Sequence, residues 1–152
     1  MLPKYHIIIG ILFVAIIYFI FPEISLLNLA IVLFSSILID GDHYLYYIFK
    51  KKDFSLSKAL NWYKEKSKSF WSLTKNERKK IYSGFYLFHG IEWIIVLALL
   101  GRFFFPPLTY VAAGFLLHFA VDFPSEICLK GTIHKSSLIY MGYLLNKENK
   151  KD

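Results

Sequence analysis

The sequence has little cysteine and little charge. Cys128 is the only cysteine among 152 residues, so no disulfide can form within the chain and a disulfide-stabilised scaffold is excluded. Charged residues make up 19% of the chain, whereas soluble domains average about 25%. Acidic residues are fewer than basic ones, with 11 Asp and Glu against 18 Lys and Arg. The length allows a single domain, 1–152.

Apolar residues are abundant instead. The chain is 56% hydrophobic and 19% aromatic, and its mean hydropathy is +0.45. This composition excludes a generally disordered chain. A basic soluble protein would suggest nucleic-acid binding, but a basic and very hydrophobic one indicates a membrane protein with basic loops on one side. We therefore expect membrane lipids, and no nucleic acid, as partners.

Four apolar stretches predict an all-α, polytopic bundle of about four transmembrane helices. The predicted spans are 5–21, 24–40, 80–105 and 107–123. Pro22 and Glu23 separate the first two, and Pro106 with Pro107 separates the last two, since proline breaks a helix interior but is tolerated in a first turn. The alternative is a buried helical hairpin in a soluble protein.

The basic residues predict the orientation of these spans. Lysines are concentrated in the middle segment, 50–79, and in the tail, 124–152, which a four-span topology places on one side. Arg102 is the only basic residue expected on the other side. The positive-inside rule therefore predicts a multi-pass protein of the cell membrane with both termini in the cytoplasm.

The middle segment, 50–79, interleaves aromatic residues with lysines. This pattern favours an amphipathic helix lying on an anionic leaflet, where lysines contact lipid headgroups. The alternative is a solvated loop whose aromatic residues pack on the helix ends. Thr74 and Glu77 fit a capping box, which we expect to begin the third membrane helix.

Ionisable residues inside a span are costly and are candidates for a functional role. They occur here in four places: His6, 40–43, 89–92 and 118–122. The predicted topology places all four in the cytoplasmic half of the bilayer. Within three of them, a carboxylate and a histidine are three or four residues apart and so share a helix face.

This joint occurrence predicts one shared metal site. Mixed His and Asp ligands suit zinc best here, with manganese or iron as alternatives, and their number allows one or two divalent ions. The candidate ligands are His6, Asp40, Asp42, His43, His89, His118 and Asp122. Taken singly, His6 is also explained as an interfacial anchor, 40–43 as a polar loop, and His118 with Asp122 as a hydrogen-bonded pair. His134, far from any carboxylate in sequence, is expected to be a surface histidine.

The same residues resemble the membrane-bound metal-dependent hydrolases of domain of unknown function 457. His6, the Asp-Gly-Asp-His run at 40–43, His89, and Gly114 through His118 to Asp122 match the order of that family's motifs. The resemblance covers most of the chain and implies a small helical membrane protein with a metal-dependent hydrolase activity. That family is in turn distantly similar to zinc-dependent phospholipase C, which implies hydrolysis of a phosphoester such as a phospholipid.

The chain departs from the family pattern at two points. Ile39 stands where the motif has proline, and the central histidine motif is reduced to 89–92. Glu92 is therefore the candidate for the missing second histidine, either as general base or as partner of a ligand. Asp42 is expected to act in catalysis as well as in metal binding.

Three other functions fit parts of the pattern. A lipid phosphatase that forms a phosphohistidine needs an arginine six residues before His118, where this chain has Ala112. An ion or proton-coupled transporter needs polar groups through the whole membrane depth, but the predicted outer halves are apolar. A non-catalytic membrane protein with a structural metal remains an alternative.

Overall fold

The computed structural model describes residues 3–79, 84–131 and 136–149. These residues form helices and connecting turns without a β-strand, which confirms the all-α prediction for this part of the chain. The helices are α1 (Pro3–Ile20), α2 (Leu26–Leu38), α3 (Gly41–Lys51), α4 (Leu56–Trp71), α5 (Lys75–Arg78), α6 (Ile91–Phe103), α7 (Pro107–Ser125) and α8 (Leu138–Asn149). A π-helical turn, Glu126–Lys130, continues α7. His134 lies outside the described residues.

Local sequence signals explain where several helices begin. The hydroxyl of Ser25 accepts a hydrogen bond from the Asn28 N–H at the start of α2, and Ser55 caps α4 in the same way. Pro107 occupies the first turn of α7, where its missing N–H costs nothing. These caps satisfy N–H groups that a helix start otherwise leaves unpaired.

Two helical segments are long and apolar enough to cross a membrane. One is Leu26–Lys51, which comprises α2, a tight turn and α3, and the other is Pro107–Cys128. The apolar part of α1, Tyr5–Ile20, is shorter. Helix α6 has 13 residues, which at 1.5 Å per residue span only about 20 Å. The described residues thus contain two candidate membrane-spanning helices, and they do not confirm the four-span bundle.

The third predicted span, 80–105, begins before the helix that the structure shows there, α6, which starts at Ile91. The capping box at Thr74 and Glu77 is present, but it starts only the four-residue α5. Residues 84–90 are not helical, and α6 begins at Ile91 with Gly90 as its N-cap. This segment instead makes a contact with a distant part of the chain: the N–H of Phe88 donates to the Asp42 carboxylate, 3.0 Å away, rather than to a helix carbonyl.

The surface of the helices is apolar. Large apolar side chains are exposed along the helices, with Phe19 at 83% and Phe103 at 71%. Soluble monomers rarely expose large contiguous apolar patches. The interior is mixed: among the described residues, buried apolar side chains such as Leu29, Val32 and Met141 accompany buried polar ones, which are His6, Ser36, Asp42, His89, His118, Asp122 and Glu126. An apolar exterior with buried ionisable side chains is typical of helices that face lipid.

Candidate metal centre

The buried and half-buried polar residues come from four separate parts of the chain. His6 lies in the first turns of α1, Asp40 at the turn after α2, His89 in the segment before α6, and His118 in the second half of α7. Helix α7 packs against both α2 and α6, and α1 packs against α2. The helices therefore bring these four positions to the same end of the bundle.

Two glycines allow the helices that carry the histidines to approach closely. A Cβ atom on Gly114 of α7 would collide with the Ser35 hydroxyl and would lie 2.5 Å from the carbonyl oxygen of Val32. On α1, a Cβ atom on Gly10 would lie 2.9 Å from Leu33 Cδ1. Small residues at such crossings let helix backbones come together. Gly114 is one turn before His118, so this close contact also sets the position of that histidine.

A sharp turn at Asp40 separates α2 from α3. The N–H of Asp42 donates to the Ile39 carbonyl and the N–H of His43 donates to the Asp40 carbonyl, both as three-residue steps that are tighter than an α-helix. This turn directs Asp40 inward and places Asp42 and His43 in the first turn of α3. Asp and Gly favour such breaks because they compete with or loosen the helical backbone.

One group of possible ligands surrounds Asp122. Its Oδ1 lies 3.3 Å from His6 Nε2, and its Oδ2 lies 3.8 Å from His118 Nε2. The rings of His6 and His118 stack in parallel, with centroids 4.1 Å apart and 11° between the planes. His6, His118 and Asp122 are all buried and could hold one metal ion together.

A second group surrounds Asp40. Its Oδ1 lies 3.6 Å from His43 Nδ1 and 3.6 Å from His89 Nε2, and these three residues also could hold a metal ion. The two groups are contiguous, because Asp40 Oδ1 is 3.8 Å from His118 Nε2 and Asp40 Oδ2 is 4.0 Å from His6 Nε2. Each of the two carboxylates thus faces histidines of both groups.

In His118 and His89, a hydrogen bond at Nδ1 shows that the other ring nitrogen, Nε2, faces the centre of the site. His118 Nδ1 lies 2.8 Å from the carbonyl oxygen of Ser36, which can only accept, so this nitrogen carries the hydrogen. His89 Nδ1 lies 3.0 Å from Asp42 Oδ2. In both neutral rings the lone pair is then on Nε2, which points toward Asp40 and Asp122. Such outer partners are a regular feature of metal-ligating histidines.

The donor set fits a metal ion. Separations of 3.3–4.0 Å between these nitrogens and carboxylate oxygens exceed the length of an ordinary hydrogen bond, about 2.7–3.2 Å. Two zinc ligands at about 2.0–2.1 Å from a tetrahedral ion lie about 3.3–3.4 Å apart. His6 Nε2 and Asp122 Oδ1 have this separation, and the other pairs are wider, at 3.6–4.0 Å. His6 Nε2 and His118 Nε2 are buried and have no hydrogen-bond partner among the described residues. A metal ion would satisfy both nitrogens.

Asp42 lies within the predicted cluster and contacts two of its histidines. Asp42 uses Oδ1 toward His43 Nδ1, at 3.0 Å, and Oδ2 toward His89 Nδ1 and the Phe88 N–H. Because Oδ2 is engaged by two donors, the geometry favours a role for Asp42 in positioning His89. Its Oδ1 faces His43 Nδ1, which could bind an ion only by giving up this hydrogen bond.

Glu92 lies away from the histidine cluster. Its carboxylate accepts hydrogen bonds from the Ser137 hydroxyl and from the N–H groups of Leu138 and Ile139. It therefore holds the first turn of α8 against α6. The predicted shared face of His89 and Glu92 is wrong, because His89 precedes the helix. The expectation that Glu92 acts as the base has no support in this geometry.

Four residues near the centre were not singled out from the sequence. Ser36 contributes only its backbone carbonyl, which no side-chain pattern reveals. Tyr63 of α4 donates to the His43 carbonyl at 2.7 Å, and Tyr86 stacks on the His43 ring at 4.3 Å. Burial raises the pKa of the Tyr63 phenol above its usual range, so it remains a donor. Some aromatic residues of the middle segment thus pack on the helix ends.

Glu126 is the fourth residue that the sequence did not indicate. It is buried in the π-helical turn, four residues after Asp122. Glu126, Asp122, His118 and His89 line a small cavity of about 20 Å³. That volume has room for about one water molecule. A water at this position would have polar groups on several sides.

Comparison with known proteins gave no match to any family model, curated protein or solved structure. The resemblance to metal-dependent hydrolases therefore stays a prediction, and the argument for function depends on the geometry of this centre.

Proposed function

We propose that this protein is a membrane-bound, metal-dependent hydrolase that cleaves a phosphoester of a lipid or related amphiphile at the cytoplasmic face. The observation that carries this proposal is the convergence of three buried Nε2 atoms on two carboxylates at 3.3–4.0 Å. His6 Nε2 and His118 Nε2 are costly to bury without a cation, because a buried nitrogen with no hydrogen-bond partner costs about 1–3 kcal/mol.

The two adjoining groups of ligands support two ions, with zinc favoured over manganese or iron. His6, His118 and Asp122 would hold one, and Asp40, His43 and His89 the other. The carboxylates of Asp40 and Asp122 each lie within 4.0 Å of histidines in both groups, so either could contribute to holding either ion. When bound, the ions would lower the pKa of water and stabilise negative charge on a phosphoryl oxygen.

The chain itself supplies positioning and proton transfer. Asp42 and the Ser36 carbonyl fix the His89 and His118 rings, so that little reorganisation is needed when charge develops. Glu126, which lines the water-sized cavity, replaces Glu92 as our candidate proton acceptor. The apolar helix surfaces around the site exclude bulk water.

The placement of the site at one end of the bundle supports the proposed four-span topology. His6 is near the start of α1, Asp40 at the end of α2, His89 before α6, and His118 late in α7, as expected of helices that alternate in direction. On this topology both termini and α4 lie in the cytoplasm. Exposed Phe54, Leu56 and Leu60 on the lysine-rich middle segment support contact with anionic headgroups.

The test is hydrolysis by protein reconstituted in vesicles of mixed zwitterionic and anionic phospholipids, loaded with zinc, manganese or iron. We expect release of a phosphorylated or free headgroup by the wild type and loss of activity in Asp122→Asn. Glu65→Gln is the matched control, since it removes one carboxylate charge from an exposed position on α4. Tight metal binding without turnover on any phosphoester would instead favour the structural-metal alternative.

A further inference from the structure

A groove on the lipid-facing side of the bundle leads to the metal centre. It lies between α2 and α7, has a volume of about 530 Å³, and is rimmed by the exposed side chains of Leu27, Phe34 and Leu38. Among the described residues that line it, Ser35 is the only polar one. The Ser35 hydroxyl already donates to the Ile31 carbonyl at 2.7 Å. The groove therefore offers hydrocarbon contacts and almost no hydrogen bonding to a ligand.

The groove and the water-sized cavity beside the metal centre share one wall. Ile39, Phe88 and Phe115 line both. Ile39 and Phe88 directly precede Asp40 and His89 in sequence, so the shared wall also borders the proposed ligands. A molecule lying in the groove would consequently present its end to the site.

The groove is long enough for a hydrocarbon chain. From Leu27 to Ile39 an α-helical path rises about 18 Å, so the groove follows nearly the whole of α2. A bilayer's hydrocarbon core is about 30 Å thick, so the groove extends past its middle from the end that carries Asp40. A single extended hydrocarbon chain whose headgroup is at the membrane surface has this reach, whereas a soluble phosphoester would leave the groove empty.

We propose that this groove binds one hydrocarbon chain of the substrate, which enters laterally from the cytoplasmic leaflet and delivers its phosphorylated headgroup to the metal centre. This inference rests on the proposed function and narrows its substrate to a lipid with at least one long chain. Chain length, rather than headgroup alone, then determines affinity.

The test uses native mass spectrometry of the whole protein with dipalmitoyl or dihexanoyl phosphatidylglycerol as the probe. Ala30→Phe fills the groove from α2, and Ala98→Phe is the matched control, since Ala98 is an exposed alanine of α6 outside the groove. We expect the long-chain probe to bind the wild type and Ala98→Phe equally. We expect Ala30→Phe to bind it about tenfold more weakly, equivalent to about 1.4 kcal/mol.

Metal content, measured on the same samples, separates the two proposals. Normal metal with weakened long-chain binding in Ala30→Phe supports the groove. Equal binding by Ala30→Phe and the wild type, equal affinity for both chain lengths, or a dimer that covers the groove would overturn it. If Ala30→Phe loses its metal, Val111→Phe, which narrows the groove from α7, decides by the same criteria. Lipid binding without metal or turnover would refute the proposed hydrolase while leaving a lipid site.

Discussion

The close contact between α2 and α7 makes Gly114→Ala the most informative substitution outside the ligand set. The new Cβ would lie 2.5 Å from the Val32 carbonyl oxygen, a backbone atom that cannot rotate away. To reach an ordinary contact of 3.4 Å, α7 must retreat by about 0.9 Å. The overpacking alone should cost about 1–3 kcal/mol of stability.

The same retreat acts on the metal centre. The distance from His118 Nδ1 to the Ser36 carbonyl is 2.8 Å, and a comparable shift would stretch it beyond the range of a hydrogen bond, about 2.7–3.2 Å. Loss of such an outer partner typically lowers metal affinity by about 10–100-fold. We therefore expect Gly114→Ala to lower metal affinity and thermal stability together, although it removes no ligand.

Chelator competition and thermal unfolding of the detergent-purified variants measure the two effects. Gly142→Ala is the matched control, because Gly142 is a glycine of α8 with no atom within 4 Å of a new Cβ. It should bind metal normally, and its stability should be unchanged or raised by up to about 1 kcal/mol, the gain in helix propensity. Wild-type metal affinity and unfolding temperature in Gly114→Ala would refute the argument that close helix contact positions His118.

Three further substitutions separate the roles of the carboxylates. Asp42→Asn should leave the fold intact and weaken metal binding about 10–100-fold in chelator competition, because Asp42 contacts His89 rather than the metal. Complete loss of metal would show that Asp42 is itself a ligand. Glu92→Gln should leave metal content unchanged but destabilise α8 by about 1–3 kcal/mol in thermal unfolding, and a selective loss of turnover would restore it as the base. Glu126→Gln should lower turnover about 10²–10⁴-fold with metal retained, and unchanged turnover would exclude it as the proton acceptor.

The meeting of distant histidines was predictable from the order of residues along alternating helices. His6, Asp40, His89 and His118 each fall near the same predicted membrane depth, and the structure brings them together. Periodicity within a helix also placed His118 and Asp122 correctly on one face. These inferences needed only helix geometry and approximate boundaries.

Contacts between distant segments were not predictable in the same way. Residues 84–90 are not helical, the Phe88 N–H donates to Asp42 instead of to a helix carbonyl, and His89 and Glu92 have different surroundings. The engagement of both Asp42 oxygens depends on ring orientations that spacing does not encode. The roles of the Ser36 carbonyl and of Tyr63 likewise depend on tertiary packing.

The most direct test of the central claim is the metal content of the detergent-purified wild type, measured by elemental mass spectrometry after incubation with zinc, manganese or iron and removal of the excess. We expect one or two ions per chain, lost in Asp122→Ala and His118→Ala and retained in Glu65→Ala. A wild type that holds no metal under these conditions would contradict it, and the buried histidines and carboxylates would then need a different explanation.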